Sequence, residues 1–314
     1  MGSRMKIPIP KDERGMIGRE CPQSACEGYF KLKPGTGLTG PGLTCTCPYC
    51  GHTSSPDQFW TKEQIEYAKS VALREVASAV LADLKSLEFD HKPKGPFGIG
   101  ISLKVKAGRP HPIRYYREKE LETSVVCSSC TLEYSVYGVF GFCPDCAAHN
   151  SAQILERNLD LIKRQVGLAN TLEDPDLRRH LLDDALENLV SSFDGFGRET
   201  CRVRATFSSD PARCENVSFQ NLSRAATVLH KLFNVDIASG VDPTDWQAAN
   251  RAFMQRHVLA HKAGVIDQQY LDETGESPAL LGRKVSPTSE EVLALVGVMG
   301  RIGKGLLGLL PQPR

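Results

Sequence analysis

The stretch Cys127-Ser-Ser-Cys130-Thr-Leu-Glu-Tyr-Ser-Val-Tyr-Gly-Val-Phe-Gly-Phe-Cys143-Pro-Asp-Cys146 decides how the first half of the chain is read. Two C-x-x-C pairs separated by twelve residues place two tight turns a short distance apart. Each turn lets two thiolates converge on one cation, so the spacing is that of a tetrahedral four-cysteine zinc site. The intervening Leu132 to Phe142 is expected to form the connecting β-hairpin of a zinc ribbon.

Working outward, an earlier cluster has Cys21 and Cys26 followed by Cys47 and Cys50, with Pro22 and Pro48 after the leading cysteines and Gly51 after the last. It reads as a second ribbon using Cys21, Cys26, Cys47 and Cys50. Cys45 is a fifth thiol that could stand in for Cys47, although Cys47-Pro-Tyr-Cys50-Gly is the better knuckle. The expectation is two structural zinc ions per chain, each closed by four thiolates and so without the open position that catalysis needs. The Gly-rich Pro34 to Gly42 lacks the G-K-[ST] ending of a phosphate cradle and reads as the loop between knuckles.

The 314 residues suffice for about two domains. With 38 Lys plus Arg against 37 Asp plus Glu, the net charge of +1 provides no global field toward nucleic acid or membrane. Hydrophobic residues at 41% and charged residues at 24% exclude the disordered class. The best apolar run, Val292 to Met299, is interrupted by Gly297 and soon meets Arg301, so no membrane span is expected. The opening Met1 to Arg4 has no signal-peptide character and reads as a remnant ahead of a native Met5. Nine of eleven cysteines in two clusters point to metal in a cytoplasmic protein rather than to disulfides.

The expected fold class is α+β and multidomain. Residues 5–56 form a first zinc-ribbon-like region with little apolar periodicity, ordered by metal rather than by a core. Residues 57–95 hold one long helix, opened by a Thr61/Gln64 capping box and marked by Ile65, Ala68, Ala72, Val76, Ala79, Val80, Leu84 and Leu87. Residues 96–148 form a β region with the second ribbon, starting from the alternation Ile99, Ile101, Leu103, Val105. Residues 149–314 form an all-α bundle, with helices expected at about 150–169, 175–194, 219–234, 244–263 and 288–310.

Two stretches carry candidate chemistry. Between 104 and 119 the bases Lys104, Lys106, Arg109, Arg114, Arg117 and Lys119 accompany His111, Tyr115 and Tyr116, with Glu118 the one acid. Such a set could hold single-stranded RNA by phosphate neutralisation and base stacking; a solvated edge strand protected by charge is the alternative. The second stretch is Arg251-Ala-Phe-Met-Gln-Arg256-His257-Val-Leu-Ala-His261-Lys-Ala-Gly-Val-Ile-Asp267. Imidazoles that titrate near neutral pH beside fixed guanidinium charges are a minimal kit for cutting a phosphodiester. His257 and His261 also share a helix face, but Val258 stands where a metalloprotease needs its glutamate. The same residues could instead line a polar helix interface.

Arg256-His257-Val-Leu-Ala-His261 resembles the Arg-x(4–6)-His signature of the HEPN superfamily of helical ribonucleases and nucleotide-binding proteins, with His257 in the polar slot after the arginine. Gly264 to Asp267, Tyr270, Leu186 to Phe196 and the Gly-rich last helix add to the likeness, which covers roughly residues 150–314. The resemblance implies a metal-independent endoribonuclease acting as a homodimer through the helical domain, with Arg256 on the scissile phosphate, His261 handling protons and His257 assisting. A role in bacterial defence is what the family suggests. On a regular helix Arg256 and His261 lie about 140° apart, so a helix break or a second copy is needed to converge them. The other readings are a non-enzymatic zinc-ribbon module that binds nucleic acid or nucleotide, with the bundle for dimerisation, and an adaptor whose ribbons bind protein.

Overall fold

The computed structural model describes residues 5–37, 43–91, 101–121 and 123–311. Most of the Gly-rich loop and residues 92–100, with the alternating residue Ile99, fall outside these. The chain divides into two compact units, Met1–Ala148 and His149–Arg314. The first is β-rich around the cysteines and the second is helical, an α+β protein.

In the first unit, β1 (Ile17–Glu20), β2 (Tyr29–Leu32), β7 (Thr123–Val126) and β8 (Glu133–Val136) form one antiparallel sheet in the order β1-β2-β8-β7. Two short ladders complete the strands: β3 (Cys45–Thr46) with β4 (Thr53–Ser54), and β5 (Phe89–His91) with β6 (Ile101–Leu103). The central pairing of Lys31 with Ser135 and Leu32 with Tyr134 joins strands from the two cysteine regions. The expected hairpin within Leu132 to Phe142 is not what forms. β8 pairs instead with β7 on the other side of the Cys127/Cys130 turn, Val125 opposite Tyr134, because this register buries Val125, Tyr134 and Val136 on the cysteine side.

An apolar core does order the first cysteine region, contrary to the expectation from its composition. Phe30 and Phe59, both fully buried, meet edge to face at 5.9 Å within a cluster that includes residues of both cysteine regions. The helix α1 (Lys62–Ser86) starts at the Thr61/Gln64 capping box as expected. Its buried positions are Gln64 and Ser70, and Gln64 donates to the Gly18 carbonyl and to Glu118.

The second unit contains α2 (Ser151–Asn170), α3 (Pro175–Arg202), α4 (Pro211–Cys214), α5 (Leu222–Phe233), α6 (Pro243–Lys262), α7 (Gln268–Thr274) and α8 (Ser289–Leu309). Leu155, Leu159, Ile162 and Val166 recur at helical spacing on α2 and pack with the matching stripes of α3 and α8 in one core. The α3 helix continues eight residues beyond the expected Asp194, because Phe196, Gly197, Thr200 and Cys201 extend its buried stripe. Length and composition alone would let α8 cross a membrane, yet Val292, Leu295, Val296, Met299, Ile302 and Leu306 are core residues of this unit.

Glu199 on α3 is largely buried. Burial alone would raise its carboxyl, but hydrogen bonds from Arg202 and His149 outweigh it and hold it at about 2. A depressed folded pKa gives stability that is complete above the unfolded value of 4.5 and is lost as pH falls toward 2. Glu199→Gln should therefore cost about 2–3 kcal/mol at neutral pH. In denaturation of the full chain, the gap between wild type and variant should close as pH drops from 4.5 to 2.

Candidate metal centres and a basic cleft

Three of the four pairs of neighbouring cysteines sit in the same kind of turn. Cys47, Cys127 and Cys143 each receive a hydrogen bond at the carbonyl from the amide four residues on, and each donates its own amide to the carbonyl five residues on. The reversal this needs falls on the residue after the second cysteine: Gly51, Thr131 and Ala147 all have positive φ, between 59° and 72°. Glu27, after Cys26, does the same at 43°. Four local turns thus aim eight sulfurs inward in pairs.

The pairs meet in two groups of four, Cys21, Cys26, Cys47 and Cys50, and Cys127, Cys130, Cys143 and Cys146, with all sulfurs in a group within 4.8 Å of one another. Cys21 and Cys50 are 3.6 Å apart, Cys26 and Cys47 3.8 Å, Cys127 and Cys146 3.6 Å, and Cys130 and Cys143 3.5 Å. A disulfide needs about 2.05 Å. A tetrahedron of thiolates with bonds of about 2.3 Å to a central cation has edges of about 3.8 Å, so both groups can hold a metal ion. Burial pushes the Cys47 and Cys143 thiols up, with neighbouring thiols opposing ionisation further, and a dication at the centre reverses that balance.

Cys45 is buried outside both groups, and burial pushes its thiol up to about 12. The geometry thus decides for Cys47 over Cys45. The two groups are tied by backbone hydrogen bonds from Phe142 to Pro48 and from Thr46 to Pro144, at 2.9 and 2.8 Å.

The basic stretch after β6 is neither a strand nor a row of free bases. Arg114 pairs with Glu66 at 2.6 Å and its amide donates to Ser70. Tyr115 and Tyr116 lie against Tyr67 on α1, with centroids 6.1 and 5.8 Å away; Tyr116 is half-buried and Tyr115 stays 76% exposed. Lys104, Lys106, Arg109 and Arg117 are exposed.

In the helical unit, α6 bridges two cores: Ala249 and Phe253 face the main one, Met254 and Val258 a smaller one with Ile266, Tyr270 and Val285. The flank between carries the Arg/His residues. The helix is unbroken from Arg256 to His261, so no kink converges them. Arg256 reaches Gln220 at 3.4 Å, and its Nε is buried without a hydrogen-bond partner. The His257 ring centroid lies 4.9 Å from that of the exposed His261.

His257 lines a cleft of about 400 Å³ together with Arg213, Arg224, Gln220 and Glu273, over Val217, Val228 and Met254. Neither Arg213 nor Arg224 forms a side-chain ion pair among the described residues. Both lie outside the sequence motif, on α4 and α5. Asp194 on α3 accepts hydrogen bonds from Ser218 and from the Phe219 amide and so fixes the loop between them. Gly197 makes room for Phe219, whose ring would lie 2.5 Å from an added Cβ. Burial and the charges of His261 and Lys262 lower the His257 pKa, against the opposing pull of Glu273. Asp267 and Tyr270 have structural roles instead: Asp267 caps α7 and pairs with Lys262, and Tyr270 is buried.

Two metal ions per chain are expected on elemental analysis of purified protein. Cys47→Ser and Cys143→Ser should each lose one, whereas Cys45→Ser should retain both.

Comparison of the chain with family models, with curated proteins and with solved structures gives no match.

Proposed function

We propose that the helical unit is an RNA endonuclease of HEPN type whose active centre is the cleft at His257, and that the two cysteine groups hold structural zinc. The observation that carries the reading is one imidazole and the side chains of Arg213 and Arg224 lining a single polar cleft, with Arg256 reaching its rim through Gln220. Zinc suits four thiolates with edges of 3.5 to 3.8 Å, and four protein ligands leave it no open coordination position.

The chemistry follows from these groups. His257, kept neutral near pH 7 by its lowered pKa, takes the proton of a ribose 2′-hydroxyl. The 2′-oxygen attacks phosphorus while Arg256, with Arg213 and Arg224, neutralises the charge growing on the phosphoryl oxygens. The bond to the 5′-oxygen breaks as His261, beside His257, supplies its proton. The products are a 2′,3′-cyclic phosphate and a 5′-hydroxyl. This arrangement shifts the base role from His261 to His257. It also brings a base and phosphate-binding cations together within one chain, without a two-fold through the helical domain. A role in bacterial defence fits an RNA-cutting activity and stays with the family resemblance.

Cleavage of a labelled RNA is the test. His257→Ala should reduce the rate about 10²- to 10⁴-fold and Arg256→Ala about 10²- to 10³-fold. Arg213→Ala and Arg224→Ala should each cost about tenfold or more through weaker phosphate binding. The rate should fall in acid with a midpoint below 6.5, where His257 becomes protonated. A 2′-deoxy residue at the scissile position should block cutting, and brief EDTA should not. RNA binding without cleavage would favour the non-enzymatic reading, which draws on the exposed Lys104, Lys106, Arg109 and Arg117.

A further inference from the structure

The helix α1 is packed by one face and by one end. Gln64 and Ser70 are buried and Tyr67 carries the two tyrosines that follow the basic stretch. From Leu73 to Ser86 every residue except Leu81 is exposed. A helical segment of about 14 residues with so little cover among the described residues is marginal in water. Its exposed side chains nevertheless include large apolar ones: Ile65, Leu73, Val76, Val80, Leu84 and Leu87 are each 42 to 62% exposed. Six large apolar residues on one helix are more than scattered surface hydrophobics.

At 100° per residue, Ile65, Ala72, Leu73, Val80 and Leu87 lie within about 60° of Val76, opposite the face that holds Tyr67. The stripe is about 33 Å long. Its positions are symmetric about Val76: Ile65 and Leu87 lie equally far on either side, as do Ala72 and Val80. Between Ile65 and Leu87 two charged residues interrupt the stripe, Lys69 and Asp83, opposite in sign and each seven residues from Val76. Lys69 pairs with Glu66 at 3.3 Å, but both side chains are solvated, so exchanging that partner costs little.

We propose that α1 is a homodimerisation helix, its stripe packed antiparallel against the same stripe of a second copy with Val76 at the two-fold axis. That arrangement sets Ile65 against Leu87 and Ala72 against Val80, and it brings Lys69 of each copy to Asp83 of the other. A parallel pair in register would set Lys69 against Lys69 and Asp83 against Asp83. A closed two-fold contact of this kind is self-complementary and terminates the assembly at two copies. The proposal is independent of the ribonuclease reading, because α1 contributes no residue to the cleft.

Sedimentation equilibrium of the full metal-loaded chain tests it. Wild type should be a dimer at micromolar concentration. Val76→Glu should be monomeric at concentrations at least about tenfold above the wild-type midpoint, with metal content unchanged and any loss of helical circular dichroism confined to what the exposed half of α1 contributes, since Val76 is exposed and supports no core. Lys69→Asp and Asp83→Lys should each weaken the dimer, and the double exchange in one chain should restore it. A wild type that stays monomeric to about 100 µM, or a Val76→Glu dimer as tight as wild type, would overturn the proposal. Single exchanges without effect, or a double exchange that does not restore the dimer, would overturn the antiparallel pairing.

Discussion

Four thiolates held within 4.8 Å cannot all be ionised unless a cation sits among them, and the first unit is organised around that constraint twice. The sulfurs converge because four separate turns each reverse the chain just after their second cysteine. The sheet then joins the turns, with β2 from the first cysteine region beside β8 from the second. Phe30, Phe59 and Tyr134 fill the space between. The core is too small to be the whole account of this unit, and the cysteine turns are too local to be. Backbone bonds such as that from Thr46 to Pro144 make the two groups parts of one structure.

The helical unit depends on a conventional apolar core, and its cleft is built by polar exceptions to it. Asp194 is a buried carboxylate on a core helix, tolerated because it receives the Phe219 amide and pairs with Arg198 at 3.0 Å. Gly197, one turn along, leaves the space that Phe219 occupies. These two residues decide where the loop before α5 runs, and hence where the cleft lies relative to α6. A side chain on α6 between two apolar faces has no core to enter. Arg256 and His257 therefore project to the flank where that loop passes.

The cysteine groups were legible in the sequence because each pair is local: two residues between thiols, or four between Cys21 and Cys26, suffice to specify a turn. The helices of the second unit were legible for a similar reason, since apolar periodicity and caps such as Thr288 with Glu291 are short-range signals. Which strand lies beside which was not legible. Leu32 and Tyr134 meet across about a hundred residues, and nothing near either announces the other. Spacing alone left Cys45 and Cys47 open, and only the meeting of four sulfurs separates them. Arg213 and Arg224 were passed over for the same physical reason. They stand on helices other than α6, and the trace in sequence is the polar set Asn216, Ser218, Gln220 and Asn221 lying between two arginines. Periodicity placed α1 correctly, but a stripe of apolar residues names a face and not the surface that covers it.

The β2–β8 pairing also sets a schedule for synthesis. The residues of the first cysteine group, ending at Cys50, leave the ribosome well before Tyr134 exists to complete the sheet beside Leu32. At roughly 5–20 residues per second the interval is on the order of five to twenty seconds. During that time the nascent segment has its four thiols but only part of its apolar cover. Capture of a metal ion at this stage would shield those thiols from oxidation and hold β1 and β2 ready for their partner strand. With a metal ion in the first group, its supply during translation, rather than only at the end of it, would bear on how much of the chain reaches its folded form.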